Sequence, residues 1–155
     1  MKRYWAVVLC LIVAGLLMNA CSDDSPSSSG NNDPSPSVYT ILATDSVGVT
    51  ITVSDGERIQ ITTTDSVNSN PGGVVLDCDL WTDADGIATC QYVTTEPSCR
   101  NLPFMALIGY MGEDYFLIGI DFDSTFATGD DLQLLINDWV FDDNQGQFVV
   151  SLTRR

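Results

Sequence analysis

The stretch Leu132–Leu152 reads LQLLINDWVFDDNQGQFVVSL. Two apolar runs, Leu132–Ile136 and Phe148–Leu152, flank a polar segment carrying Asp138, Asp142, Asp143 and Asn144. In the second run Phe148, Val150 and Leu152 recur at period two, the spacing of side chains on one face of a strand. The runs read as a long-looped β-hairpin. Three carboxylates and an amide oxygen crowd its tip. Like charges that close repel unless solvent or a cation lies between them. Calcium takes about 6–8 hard oxygen ligands from carboxylates, amides and backbone carbonyls. The tip is a candidate calcium site, with the rest of the chain as the scaffold and tether that present it.

Working outward, the pattern stays β from Val38 on. Val38–Ala43 is a short strand, and Val47, Val49, Ile51 and Val53 alternate with Gly48, Thr50, Thr52 and Ser54. Asp55-Gly56 reads as a turn, after which Arg58–Thr63 returns as a second hairpin arm with Ile59 and Ile61 on one side. Asp65–Gly73 is a polar loop and Val74–Leu76 a short apolar piece. Asp77–Pro103 is irregular and holds Asp77, Asp79, Asp83 and Asp85. Asp83-Ala84-Asp85-Gly86 looks like the opening of an EF-hand loop, but the later ligand positions are missing, so it reads as an acidic turn. Phe104–Tyr110 and Asp114–Asp121 are apolar on both faces, as central strands are, with Met111-Gly112-Glu113 turning between them. Ser124–Asp131 reads as a turn-rich loop anchored by Phe126. About nine short strands, with no helical periodicity over Val38–Leu152, predict an all-β fold: a small β-sandwich of jelly-roll type.

Composition narrows the chemistry. The chain of 155 residues has no His, and its only Lys is Lys2. That removes His-ligated zinc, Ser-His-Asp and Cys-His catalysis and lysine Schiff bases. Carboxylates, hydroxyls and amides remain. Beyond residue 20 four basic residues face 21 acidic ones, a net charge of −17. Such a charge repels phosphate backbones and anionic headgroups, which makes nucleic acid a poor partner.

The first 20 residues have the build of a signal segment: Lys2 and Arg3, an apolar run Tyr4–Met18, then Asn19-Ala20 before Cys21. Leu17-Met18-Asn19-Ala20-Cys21 resembles the bacterial lipobox, which implies lipidation of Cys21. The apolar run is short of the ~20 residues that span a bilayer. Residues 21–37, the lipidated cysteine and then SDDSPSSSGNNDPSPS, cannot bury a core and read as a flexible tether. The domain then occupies residues 38–155. The layout predicts a cell-envelope protein held to a membrane by lipid on Cys21. Ser22 carries no aspartate retention signal at that place, which favours the outer membrane or cell surface. With Cys10 lost and Cys21 acylated, Cys78, Cys90 and Cys99 remain for one disulfide in an exported chain. Cys90–Cys99 is the expected pair, with Cys78–Cys90 the alternative. No CxxC spacing supports zinc.

Asn137-Asp138, a loop, then Asp143-Asn144-Gln145-Gly146-Gln147-Phe148 and an alternating strand resemble the closing motif of the LecA-like (PA-I type) galactose-binding bacterial lectins. Phe104-Met105-Ala106-Leu107-Ile108-Gly109 resembles that family's Gly-Ala-Leu-Ile-Gly strand, and Ile59-Gln60-Ile61 with Pro71 its strand and calcium-side loop. The resemblance covers Val47–Leu152. It implies a galactose-binding-domain-like sandwich with bound Ca2+. Asp138, Asp143 and Asn144 would ligate through side-chain oxygens. Ser69 would supply a backbone carbonyl, and a further carbonyl would come from Val140–Asp142. Asp138 and Asp143 would also touch sugar hydroxyls, with Asp85 near a polar contact. The family's nearby His has no counterpart here, and the loop is about two residues shorter. Beside the key aspartate, Trp139 is a candidate for packing on a sugar's apolar face, or equally a core or loop anchor.

Three functions compete. The first is a lipid-anchored, calcium-dependent module for galactose-type or related carbohydrate. The second is a structural or protein-interaction sandwich in which calcium only stabilises the loop. The third, a glycosidase using two aspartates, is disfavoured because the acids cluster in one loop and no cleft-forming insertion is visible. The expected protein is not an enzyme. Its sugar and its oligomeric state are open.

Overall fold

The computed structural model describes residues 35–69, 81–88 and 101–155. The expected signal segment, most of the expected tether, Val74–Leu76, Asp77, Asp79 and the five cysteines, including Cys21, Cys90 and Cys99, lie outside the described residues. Ten strands run in order: β1 Ser37–Leu42, β2 Val49–Thr52, β3 Arg58–Thr64, β4 Val67–Asn68, β5 Trp81–Thr82, β6 Leu107–Met111, β7 Asp114–Leu117, β8 Asp121–Thr125, β9 Asp131–Ile136 and β10 Gln145–Arg154. Among the described residues there is no helix.

The strands form two antiparallel sheets. In the first, β10 is flanked by β1 on one side and by β3 and β4 on the other. β8 pairs with β3 and β5 with β4. Val149 faces Thr64 and Gly146 faces Val67, so β3 and β4 keep one register against β10. They are halves of one strand broken near Asp65, whose φ of 69° is in the left-handed region. Asp is among the few side chains that tolerate it. The second sheet has the order β2-β9-β6-β7.

The core lies between the sheets. β9 alternates as Leu132, Leu134 and Ile136 inward, β10 as Phe148, Val150 and Leu152 inward, each at most 1% exposed. Ile41, Ile51, Ile59, Ile61, Val67 and Leu107 join the same cluster. Burial of this apolar surface, at roughly 25 cal/mol per Å2, is the main favourable term in folding. β6 is buried on both faces. Leu107 points into the sandwich, while Ile108 and Ala106 pack with Leu102, Tyr115 and Leu135 outside it.

The sandwich agrees with the sequence reading, but several pairings differ. Leu132–Ile136 and Phe148–Leu152 are not a hairpin: β9 pairs with β2 and β6, β10 with β1, β3 and β4. Two strands with equally apolar faces gain more by packing face to face across the core than by lying edge to edge. The connection 137–144 is long enough to cross the ~10 Å between packed sheets. The expected hairpin of Val47–Val53 with Arg58–Thr63 fails in the same way, since β2 and β3 lie in different sheets. Asp55-Gly56 does form a turn, but one that changes sheets.

Asp114–Asp121 is not one strand. β7 ends at Leu117, the Ile118 and Gly119 amides both donate to Leu107 O, and β8 starts in the other sheet at Asp121. β8 extends into what read as the loop Ser124–Asp131. Its exposed positions, Asp121, Asp123 and Thr125, masked its alternation with Phe122. Phe126 does anchor the loop, packing near the rings of Phe116 and Phe122. β7 lies at a sheet edge rather than in the centre.

Among the described residues Phe148 is the largest fully buried side chain. Phe148→Ala is expected to lower unfolding free energy by about 3–5 kcal/mol in urea titration. Val38→Ala, at a side chain 63% exposed, should stay within about 0.5 kcal/mol.

Candidate functional site

The crossover 137–144 closes one end of the sandwich. Asn137 pins its start. The side chain is buried, and Nδ2 donates to Leu102 O (3.2 Å) and Pro103 O (2.9 Å). Its backbone amide donates to Ala106 O and its carbonyl accepts from Met105 N. Asp138 then folds back on its own loop. Oδ1 accepts from the amides of Trp139 (2.6 Å) and Val140 (3.3 Å), an Asx-type turn. Oδ2 accepts from Asn144 Nδ2 at 2.7 Å.

Asn144 closes the loop from the other side. It is 5% exposed, and Nδ2 also donates to Ala43 O at 3.0 Å. One amide therefore ties together the end of β1, the crossover and the start of β10. Ala43 N donates to Gly146 O at 3.0 Å, which closes the circuit. With Nδ2 engaged twice, Asn144 Oδ1 is left buried without a hydrogen-bond partner. Unpaired buried oxygens are uncommon and each has a cost.

Ser69 joins the same end. Asn68 pairs with Gln145 at the last step of the ladder, and Ser69 and Asn144 are the residues that adjoin that pair along the chain. Both are nearly fully buried. Asp142 and Asp143 are exposed on the crossover. Trp139 is 52% exposed, which rules out a core anchor. Asp85 is spent elsewhere: it sits on the exposed turn after β5, and Oδ1 accepts from Ile120 N at 3.0 Å. Gly119 lets that carboxylate approach, since a Cβ there would strike Asp85 Oδ1.

Among the described residues, no group of three or more His, Cys, Asp or Glu forms a metal-holding cluster. Any cation here would rely on amide and backbone oxygens as well as Asp138. The donor chemistry fits a hard cation: a half-buried carboxylate, a buried amide oxygen without a donor, and an adjacent exposed carboxylate.

The Asp138 carboxyl is pushed up from its ordinary 3.8, chiefly by burial. The hydrogen bonds from Trp139 N, Asn144 and Val140 N oppose this, and the charge of Asp143 adds a further upward push. A raised folded-state value means that Asp138 favours the folded state below the ordinary carboxylate range. That contribution is lost as pH rises through the folded value. When ionised, the group is a cost to the free loop, and a bound cation would relieve it.

Sequence reasoning quoted Asn137 but gave it no role, and it missed Asn68 and Ala43. Asn68 lies on β4 with a buried, unpartnered Oδ1. Period two from Ile59 through Val67 would have put it on the outer face. Ala43 contributes only backbone atoms, which composition does not reveal.

No family model matches the chain, and no curated protein matches it. Among solved structures, it is similar to one described as the N-terminal domain of EclA, a PllA-like lectin. The TM-score is 0.56 at 19% sequence identity, over 76% of this chain and 95% of that one. The chain has a lectin-like β-sandwich fold. At this identity the likeness concerns architecture alone, and the two-sheet sandwich is the all-β arrangement expected from the alternating strands.

Two outcomes follow from this geometry. Asn144→Ala, measured in chelator, should cost about 1–3 kcal/mol, because Asp138 and Ala43 O lose their shared donor. Carbon-detected NMR titration should place the Asp138 midpoint above 3.8, and Asp143→Asn should lower it by removing the like charge.

Proposed function

We propose that the domain is a calcium-dependent carbohydrate-binding module for galactose-type or related sugars, displayed on the cell envelope through lipid on Cys21. The observation that carries this reading is the orphaned, buried Asn144 Oδ1 beside the Asp138 carboxylate, on a sandwich similar to a lectin domain. Asp138, Asp143 and Asn144 would hold the ion through side-chain oxygens. Carbonyls of Ser69 and of the segment 140–142 would complete the set. Bound calcium supplies open coordination positions that two vicinal sugar hydroxyls can take from water. The chain's part is orientation. Asp138 and Asp143 accept the hydroxyl protons in charge-assisted hydrogen bonds, and exposed Trp139 offers an apolar surface to the sugar ring. The module binds its sugar without turnover.

One observation favours the second reading, a structural or protein-interaction sandwich. Asp138 already accepts three hydrogen bonds from its own loop, so the loop is well ordered without a ligand.

A glycan array read with calcium and with chelator separates the two. Binding confined to the calcium arm is the expected result. Binding in chelator, or silence in both arms alongside a calcium-induced melting shift, would overturn the module reading. Asp138→Ala should abolish both the melting shift and retention on a galactose matrix. The shift should also shrink as pH falls through the raised Asp138 value, because a protonated carboxyl no longer ligates.

A further inference from the structure

Among the described residues Trp81 is the most exposed aromatic side chain, at 57%, although it lies in a paired strand. β5 is separated from β10 by β4, yet Trp81 Cζ3 stands 2.8 Å from where a Cβ on Gly146 would be. The same Cβ would approach Val67 Cα to 3.1 Å. The indole therefore lies across β4 and rests on the backbone of β10 at a position that has no side chain. Gly146, with φ of 92°, is required there on both counts. A tryptophan that served the core would be buried. This one has a rigid backbone bed beneath it and solvent above.

Its place in the ladder matters. Trp81 pairs with Asn68 and Asn68 with Gln145, which makes one cross-strand row of Trp81, Asn68 and exposed Gln145. Ser69 follows Asn68 and Asn144 precedes Gln145 along the chain. Gly146 is two residues past Asn144, roughly 7 Å along an extended strand. A flat apolar surface with a polar amide beside it thus borders the Asp138–Asn144 loop.

We propose that Trp81 is a specificity-determining residue that stacks on the second ring of an uncharged oligosaccharide whose first ring sits at that loop. This rests on the carbohydrate-binding reading above. The occupant is a sugar ring because aromatic faces pack on the C–H face of a pyranose, while the net charge of the chain disfavours anionic glycans.

The test uses the full-length protein in detergent with calcium, titrated with galactose and with galactose-terminated tri- and tetrasaccharides. Wild type should bind the oligosaccharides more tightly than galactose. Trp81→Ala should weaken oligosaccharide binding about five- to tenfold and leave galactose affinity and the calcium melting shift unchanged. Trp81→Phe should recover part of the loss. Equal loss on galactose and oligosaccharide would mark Trp81 as merely structural and overturn the proposal, as would no loss on either. If wild type binds no sugar with calcium, the carbohydrate reading itself fails and takes this inference with it. If wild type binds and Trp81→Ala binds equally well, only the stacking role fails.

Discussion

The arrangement depends on one constraint: the apolar faces of β9 and β10 must be buried against each other from opposite sheets. Leu132, Leu134 and Ile136 on one side and Phe148, Val150 and Leu152 on the other are almost completely removed from water. Once those faces oppose, the segment between them has to climb from one sheet to the other at the end of the sandwich. It cannot be the free tip of a hairpin. The crossover is therefore held at both ends by core strands, and Asn137 and Asn144 fasten it to neighbouring backbone. The local rigidity of the candidate site follows from the hydrophobic packing below it.

Within that frame the polar groups have little freedom. Asn144 Nδ2 serves Ala43 O and Asp138 Oδ2 at once, which fixes the amide and turns its oxygen into a buried acceptor without a donor. Burial raises the cost of the Asp138 charge, and neighbouring Asp143 raises it further. A hard cation would answer both problems together, as a counter-charge for the acids and a partner for the amide oxygen. Arg58 pairs with Asp123 across β3 and β8, where Arg58 and then Gln60 hold the Asp123 carboxyl down at about 2. That pair is solvent-exposed and contributes little to stability.

Much of the architecture was legible in the residues. Alternation of Val49, Ile51 and Val53, of Ile59 and Ile61, and of Phe148, Val150 and Leu152 gave strands and their inward faces, because a period of two is a local property of the extended chain. The Met111-Gly112-Glu113 turn gave the β6–β7 hairpin, with Ile108 facing Leu117. Partnership between strands was not legible. A half-buried strand has the same pattern whether its neighbour in sequence lies beside it or across the core, so both misjudged hairpins had the correct strands with the wrong partners. β8 was missed because acidic residues at its exposed positions resemble a loop.

The sequence alone determined the all-β class, the inward-facing residues and the gathering of Asp138, Asp143 and Asn144 on one connection, since these follow from local periodicity and proximity along the chain. Tertiary structure decided the rest. Only the register of β4 against β10 sets Asn68 opposite Gln145, and only the sheet order lets Trp81 reach over β4 to Gly146. Only the fold turns Asp85 toward Ile120 N. Each is a contact between segments far apart in the chain, fixed by which apolar faces are buried together, and local pattern carries no record of that choice.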